Sequence, residues 1–202
     1  MWNAPEEERG YISNLDFSVD GKRVNWQYHP EHIDICKLIL NKPIKAGGSA
    51  VIKTPFKVKI PDAKFSRLGH VGQSYMITQW YPKPAVYDRE GWHTMPYLSQ
   101  GEFYSEFGSF DVSIKLPLNY TVGATGDLQN KGEKIRIEEL SDITDTITKF
   151  STDMSFPKSD KKTKTIRFVQ ENVRISCFVR CFVRCSLFCS LGEVKITPNY
   201  NS

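Results

Sequence analysis

Four carboxylates and several aromatic rings occur between positions 80 and 106 of this 202-residue sequence. Paired carboxylates beside rings that can stack on sugars are typical of glycoside hydrolases, in which one carboxyl group is the acid and the other the base or nucleophile. Sequence spacing does not determine the distance between two carboxyl groups. We favour the simpler interpretation that the acids are solvated or cap turns while the rings pack against a sheet. The residues are Asp88, Glu90, Glu102 and Glu106, with Trp80, Tyr81, Trp92, Tyr97, Phe103 and Tyr104.

The histidines give little support for a metal site. His29 and His32 are three residues apart without a cysteine or carboxylate in register, and His70 and His93 are distant in the sequence. Zinc in proteins is held by three or four such ligands. We therefore expect no metal ion in this chain. The sequence also has no Ser-His-Asp order, no P-loop and no G-x-G-x-x-G motif.

Four of the five cysteines lie in a basic segment near the end of the sequence, RISCFVRCFVRCSLFCSL, at positions 174–191. In a continuous helix Cys177 and Cys189 would be about 18 Å apart, since each residue adds about 1.5 Å. The four thiols therefore cannot ligate one zinc ion at bond lengths of about 2.3 Å. The tandem CFVR repeat predicts either a shifted reading frame in a decayed gene or a thiol-rich interaction tail. An odd, clustered cysteine count does not suit a disulfide framework.

The charge distribution argues against nucleic acid as a partner. The net charge is +4, and residues 151–202 hold 9 basic against 4 acidic residues, so the first 150 residues carry a charge of −1. A nucleic-acid-binding fold usually shows a basic stripe across the domain. No run of 18 apolar residues predicts a membrane helix, and residues 1–9 lack the features of an export signal. We expect no nucleic acid or membrane partner, and the cellular location stays open.

Alternation of apolar and polar residues predicts many short strands. In Val51–Ile60 and Gly108–Leu116 every second side chain is apolar, which is typical of half-buried strands. The dipeptide Asp20-Gly21 suits a two-residue hairpin turn. Further strands are predicted at Ile12–Val19, Val24–Tyr28, Ile33–Leu40, Ser74–Trp80, Tyr120–Ala124, Lys134–Ile137, Thr144–Ser151 and Thr165–Val173.

These elements predict an all-β fold of antiparallel sheets that are packed or strongly bent, like a saddle or sandwich. No segment before residue 170 shows a sustained helical stripe, so no helix is predicted there. We expect one β-domain over residues 1–173 and a poorly ordered or non-native tail over residues 174–202. The exception to the short connections is Tyr81–Glu106, and long loops in compact domains are often functional.

The segment Gly69–Asn130 resembles the N-terminal domain of bacterial aminopeptidase N-like zinc metallopeptidases. The motifs are a Tyr-x-x-Thr-Gln element at Tyr75–Gln79, an aromatic-Pro element at Trp80–Pro82, and a strand that ends in a Pro-containing turn at Phe110–Pro117. The run ITQWYPKPAVYDREGWHTMPYLSQGEFYSEFGSF carries most of the likeness. With weaker similarity on both sides, the resemblance extends from about Glu7 to Asn172.

The resemblance implies a saddle-shaped β-domain in an enzyme that removes residues from the N-terminus of peptides. The family's zinc site uses H-E-x-x-H on a helix, and the following domain carries Gly-x-Met-Glu-Asn; this sequence contains neither motif. We therefore expect a truncated domain that is noncatalytic alone. Zinc and the peptide substrate belong to the intact enzyme and its missing catalytic domain.

Within this resemblance one residue corresponds to a substrate-binding position. Gln79 matches the family's Thr-Gln glutamine, which reaches the active-site cleft near the substrate's N-terminal amine. Some members have an acidic residue two positions later, where this sequence has Tyr81. The other interpretation of Gln79 is a side chain that only supports the end of a strand.

An alternative function is that of a stand-alone β-sandwich module that binds a glycan or a peptide through the aromatic loop at residues 80–106. The amount of exposed apolar surface distinguishes the two hypotheses. A domain that has lost its catalytic partner should expose a large apolar area, whereas a binding module should be polar except at one groove.

Overall fold

The computed structural model describes residues 4–64, 68–98, 104–149, 152–153, 155–174 and 179–182. Strands predominate, which confirms the predicted β class. The described residues also contain a 3-10 turn at Glu6–Glu8 and the helix α1 at Lys131–Asp145. The strands, numbered β1 to β16 in chain order, are Tyr11–Ser13, Ser18–Val19, Lys22–Arg23, Asn25–Tyr28, Cys36–Ile39, Ile52–Lys53, Lys57–Lys59, Gly69–Val71, Ser74–Ile77, Val86–Asp88, Gly91–His93, Phe107–Pro117, Thr121–Ala124, Asp127–Leu128, Thr163–Arg174 and Val179–Phe182.

These strands form several small antiparallel sheets. The largest has the order β13-β16-β9-β8, and two three-stranded sheets have the orders β12-β15-β14 and β3-β2-β6. The pairs β1-β7, β4-β5 and β10-β11 complete the set within the described residues. Every paired strand is antiparallel to its neighbour.

The main core lies where β12 and β15 meet the strands β9 and β13. Val112, Ile114 and Leu116 point from one face of β12 into this core, as their alternation with polar residues predicts. Ile114 lies opposite Ile166 in the β12-β15 register, and both are fully buried. Fully burying one such side chain contributes about 1.5 to 3 kcal/mol, so the register is strongly determined. The remaining buried members of this cluster are Ile77, Trp80, Tyr120, Val122 and Phe168.

The predicted strand Val51–Ile60 is divided into β6 and β7. Its alternating burial is as expected, but Pro55 lies between the two halves and has no N–H to donate to a sheet. The two halves consequently pair with different strands, β6 with β2 and β7 with β1.

The turn Asp20-Gly21 joins β2 to β3 as predicted. Asp20 has φ of 49° and Gly21 has φ of 76°. Two positive φ values in a two-residue loop match the twist of the flanking strands, and Asp and Gly tolerate them better than most residues.

The helix α1 corrects two predictions. Lys134–Ile137 is helical rather than extended, and Thr144–Ser151 begins inside the same helix; its last two residues lie outside the described ranges. The strand prediction relied on local Ile and Thr content, which favours strands. A helical spacing is nevertheless present, because Ile137, Leu140 and Thr144 recur at intervals of three and four residues.

The predicted C-terminal tail contributes one described strand. β16 lies between β9 and β13, with Val179 opposite both Ile77 and Ala124. Apart from Arg174 at the end of β15, the other tail residues lie outside the described ranges. They include Cys177, Cys185 and Cys189, so the tail prediction is not decided for them.

Candidate functional site

Gln79 follows the end of β9 and has a left-handed backbone with φ of 52°. Its neighbours Thr78 and Trp80 are both buried, whereas Gln79 itself is half-buried. A non-glycine residue in this region is strained by about 1 to 3 kcal/mol and persists only where its surroundings hold it. The buried residues on both sides of Gln79 provide that restraint.

Aromatic contacts hold this part of the chain against the main core. The Trp80 ring centroid is 6.0 Å from that of Phe56 and 5.6 Å from that of Tyr81. Tyr81 in turn packs edge-on against Phe110 at 5.9 Å. Tyr81 is therefore a packing side chain between Trp80 and Phe110.

The indole Nε1 of Trp80 is a second unusual feature of this region. It is buried and has no hydrogen-bond acceptor among the described residues. Buried polar groups nearly always have a partner, and leaving one without costs about 1 to 3 kcal/mol. A strained backbone at Gln79 and the buried indole of Trp80 thus occur at adjacent residues, and strained backbones often cluster at functional sites.

The long connection after Tyr81 contains a hairpin that the sequence analysis did not predict. β10 and β11 pair so that Tyr87 lies opposite Trp92, with ring centroids 4.9 Å apart. Both rings are exposed. Further exposed apolar side chains follow in the same connection and at the start of β12, namely Met95, Tyr97, Leu98, Tyr104 and Phe107.

The described carboxylates of this connection are either exposed or bonded within its hairpin. Asp88 accepts a hydrogen bond from the backbone N–H of Glu90, and its carboxylate lies 2.8 Å from His93 Nε2. The His93 contact is the main cause that lowers the pKa of Asp88. Glu90 and Glu106 are exposed, and Glu102 lies outside the described ranges. The solvated or turn-capping interpretation therefore holds for the three described acids.

A lysine and a serine near the two ends of the same connection form a hydrogen bond. Lys83 Nζ donates to Ser105 Oγ at 3.0 Å, and Ser105 Oγ donates to the carbonyl of Tyr104 at 2.7 Å. Burial lowers the pKa of Lys83. Ser105 is itself buried, so this contact joins the two ends of the connection and does not present a nucleophile to solvent.

The histidine pair near β4 has a structural explanation. The rings of His29 and His32 stack with centroids 4.9 Å apart, and His29 Nδ1 accepts the backbone N–H groups of Glu31 and His32, both at 3.2 Å. His29 thereby stabilises the turn before β5. In the part of the chain that the structure describes, no three His, Cys, Asp or Glu residues are grouped to hold a metal ion.

Comparisons with known protein families, with curated proteins and with solved structures found no match to this chain. The aminopeptidase resemblance therefore depends on the residues themselves. Among the described helices, none is long and apolar enough to cross a membrane.

The sequence analysis missed a buried ion cluster at the start of α1. Glu133 Oε1 lies 2.5 Å from an Arg136 terminal nitrogen and 2.7 Å from Lys164 Nζ. Arg136 also donates to the carbonyl of Tyr120 at 3.1 Å and to Thr121 Oγ1 at 3.0 Å. A signal was present in the three-residue spacing of Glu133 and Arg136, which suits a helical ion pair. The contact with Lys164 spans 31 residues and has no local signature.

Proposed function

We propose that this chain is the N-terminal β-domain of a zinc-dependent aminopeptidase, and that it is noncatalytic by itself. In the intact enzyme it would form one wall of the cleft and orient the N-terminus of a peptide. Zinc and the general base would come from a catalytic domain that this sequence does not contain.

The observation that carries the proposal is the backbone of Gln79. The residue that the family resemblance assigns to substrate binding is also one that the fold holds in a strained left-handed conformation, between buried Thr78 and Trp80. A strained backbone that orients a polar side chain is an arrangement that functional sites use.

The side-chain chemistry of Gln79 suits this role. Its amide oxygen can accept a hydrogen bond from the ammonium group of a peptide's first residue. Because the ammonium group takes no part in bond breaking, the hydrogen bond would act similarly in the ground state and the transition state. Gln79 would therefore strengthen substrate binding more than it accelerates the chemical step.

The exposed apolar residues from Tyr87 to Phe107 support the same proposal. Tyr87, Trp92, Tyr97 and Phe107 are all exposed on one connection and the strand that follows it. Large apolar surface of this kind usually marks a surface that another domain or protein covers. In an intact aminopeptidase the covering domain would be the catalytic one.

The test joins this chain to the catalytic domain of a bacterial aminopeptidase N-like enzyme and compares Gln79→Ala with the unchanged fusion. We expect KM for peptide substrates to rise with little change in kcat, by an amount equivalent to about 0.5 to 3 kcal/mol, the range for one hydrogen bond. Asn14→Ala is the matched control, because Asn14 also has a positive φ, of 60°, but lies in the turn after β1. Equal kinetics for the two variants would show that Gln79 only supports the sheet.

A second candidate function is a stand-alone module that binds a glycan or a peptide, and the adjacent Tyr87 and Trp92 rings favour it. Exposed aromatic rings can stack on a sugar face or cover an apolar side chain. A binding module of this kind should quench or shift Trp92 fluorescence when glycans or peptides are titrated into the isolated chain. Trp92→Ala should abolish the binding. No binding by the isolated chain would leave the aminopeptidase proposal as the better account.

A further inference from the structure

The second half of α1 exposes an apolar stripe. Leu140 is 40% exposed, Ile143 60% and Ile147, just beyond the helix, 43%. Their spacing of three and four residues places them on one face. Glu133 and Arg136 lie on the same face of the helix and contact the body of the protein. The stripe is the part of this face that the rest of the fold leaves exposed.

The charge of this half is uniformly negative. From residue 137 to residue 148 the sequence IEELSDITDTIT contains four acids and no base, and the next residue is Lys149. The acids are Glu138, Glu139, Asp142 and Asp145, and all are exposed. Glu139 lies four residues before Ile143 and is therefore its neighbour on the helix surface.

The acids lie near the end of the helix at which the helix dipole disfavours negative charge. The C-terminal end of a helix carries a partial negative charge, so acidic side chains near it are unfavourable and basic ones are favourable. The last turn of α1 has no basic residue. The hydroxyls of Thr144 and Thr146 donate to the carbonyls of Leu140 and Ile143, both at 2.7 Å, and add no positive charge to this end of the helix. A cation from outside the helix would relieve this repulsion.

The first turn of α1 is fixed to the sheet. Besides the Glu133 cluster, the side chain of Asn130 accepts the backbone N–H of Arg167 at 2.7 Å and donates to the carbonyl of Thr165 at 3.3 Å. The second half of the helix therefore extends from a fixed base and presents its stripe in a defined direction.

We propose that the second half of α1 is a docking site for a basic amphipathic helix of another protein, one with Lys or Arg beside a Leu, Ile or Phe stripe. The partner's apolar residues cover Leu140, Ile143 and Ile147, and its cations lie near the four acids and the C-terminal end of α1. A second copy of this chain is a poor occupant of the same surface, because two such halves would bring four negative charges against four.

The experiment measures binding of a fluorescent 18-residue Leu/Lys amphipathic helical peptide to the full chain by anisotropy, with a Leu/Glu peptide of the same pattern as a control. We expect Leu/Lys binding that weakens as salt is raised, and no measurable Leu/Glu binding. The double variant Leu140→Gln/Ile143→Gln should lose about tenfold or more in affinity, since both substitutions remove apolar contact. Asp142→Asn/Asp145→Asn should lose less, and the loss should disappear at high salt.

Ile135→Gln is the matched control, because Ile135 is exposed on the same helix but lies about 80° to 140° around it from the three stripe residues. It should bind the peptide like the unchanged chain, and circular dichroism should show that every variant keeps its fold. Equal binding by the stripe variant and the control, or equal binding of both peptides, would overturn the proposal. Sedimentation showing that the unchanged chain dimerises and that Leu140→Gln/Ile143→Gln is monomeric would also overturn it, in favour of a second copy.

Discussion

Replacement of Glu133 by Gln tests whether the buried ion cluster holds α1 on the sheet. Glu133 is the only buried residue of α1, and it is a carboxylate rather than an apolar side chain. Its side chain is 8% exposed and that of Lys164 11% exposed, whereas Arg136 is about one-third exposed. Glu133→Gln keeps the shape of the side chain but removes the negative charge that Arg136 and Lys164 contact.

The expected loss follows from this burial. Removing one partner of a buried ion pair costs about 3 to 5 kcal/mol, and the partial exposure of Arg136 puts the expected value near 3 kcal/mol. With a urea slope of about 1 to 3 kcal/mol per molar, the unfolding midpoint should fall by about 1 to 3 M.

The loss of stability caused by Glu133→Gln should become smaller as the pH falls. Burial raises the pKa of Glu133, but the hydrogen bonds from Arg136 and Lys164 outweigh it, so the pKa lies below its usual value. A carboxyl group with a lowered pKa stabilises the fold above its unfolded pKa, and this stabilisation is lost as the pH falls through its folded pKa. The difference between the unchanged chain and Glu133→Gln should therefore be constant from pH 7 to about 5 and decrease below about 4.3.

The assay is urea unfolding followed by circular dichroism at several pH values. Glu138→Gln is the control, because Glu138 lies on the same helix and is exposed; its unfolding midpoint should stay within error. A loss below about 0.5 kcal/mol for Glu133→Gln at pH 7, or a loss that grows as the pH falls, would refute the reasoning.

Three further outcomes follow from the structure. Ile114→Ala, at a side chain 1% exposed in the main core, should cost about 2 to 5 kcal/mol of unfolding free energy in the same urea assay. Gly126→Ala should lower the melting temperature, because Gly126 has φ of 100° and an added Cβ would lie 2.7 Å from the carbonyl oxygen of Val169. The isolated chain should hold no stoichiometric zinc by elemental analysis and hydrolyse no aminoacyl-anilide; one zinc per chain with turnover would contradict the proposed function.

Local patterns predicted much of the sheet structure. Alternation located β12 and β15, because a strand with one buried face repeats every two residues. The turn at Asp20-Gly21 was predictable because few residues tolerate two positive φ values. The division at Pro55 was also visible in the sequence, since proline cannot donate to a sheet, yet the alternation around it suggested one continuous strand.

Other features depend on contacts between distant residues. α1 was missed because Ile and Thr are strand-forming residues locally, while its anchorage through Glu133 and Lys164 forms only in the folded chain. The family resemblance singled out Gln79, but the positive φ at that residue has no signal in the sequence, because glutamine shows no special preference for that conformation. The Trp80 Nε1, which has no acceptor in the part of the chain that the structure describes, likewise becomes apparent only from the packing around it.

The most direct test of the aminopeptidase proposal is to read the gene downstream of codon 173 in all three frames. The proposal predicts that one of these frames encodes H-E-x-x-H, with a glutamate further downstream, in a following domain. A downstream sequence with no H-E-x-x-H in any frame, and no continuation of the resemblance, would contradict it.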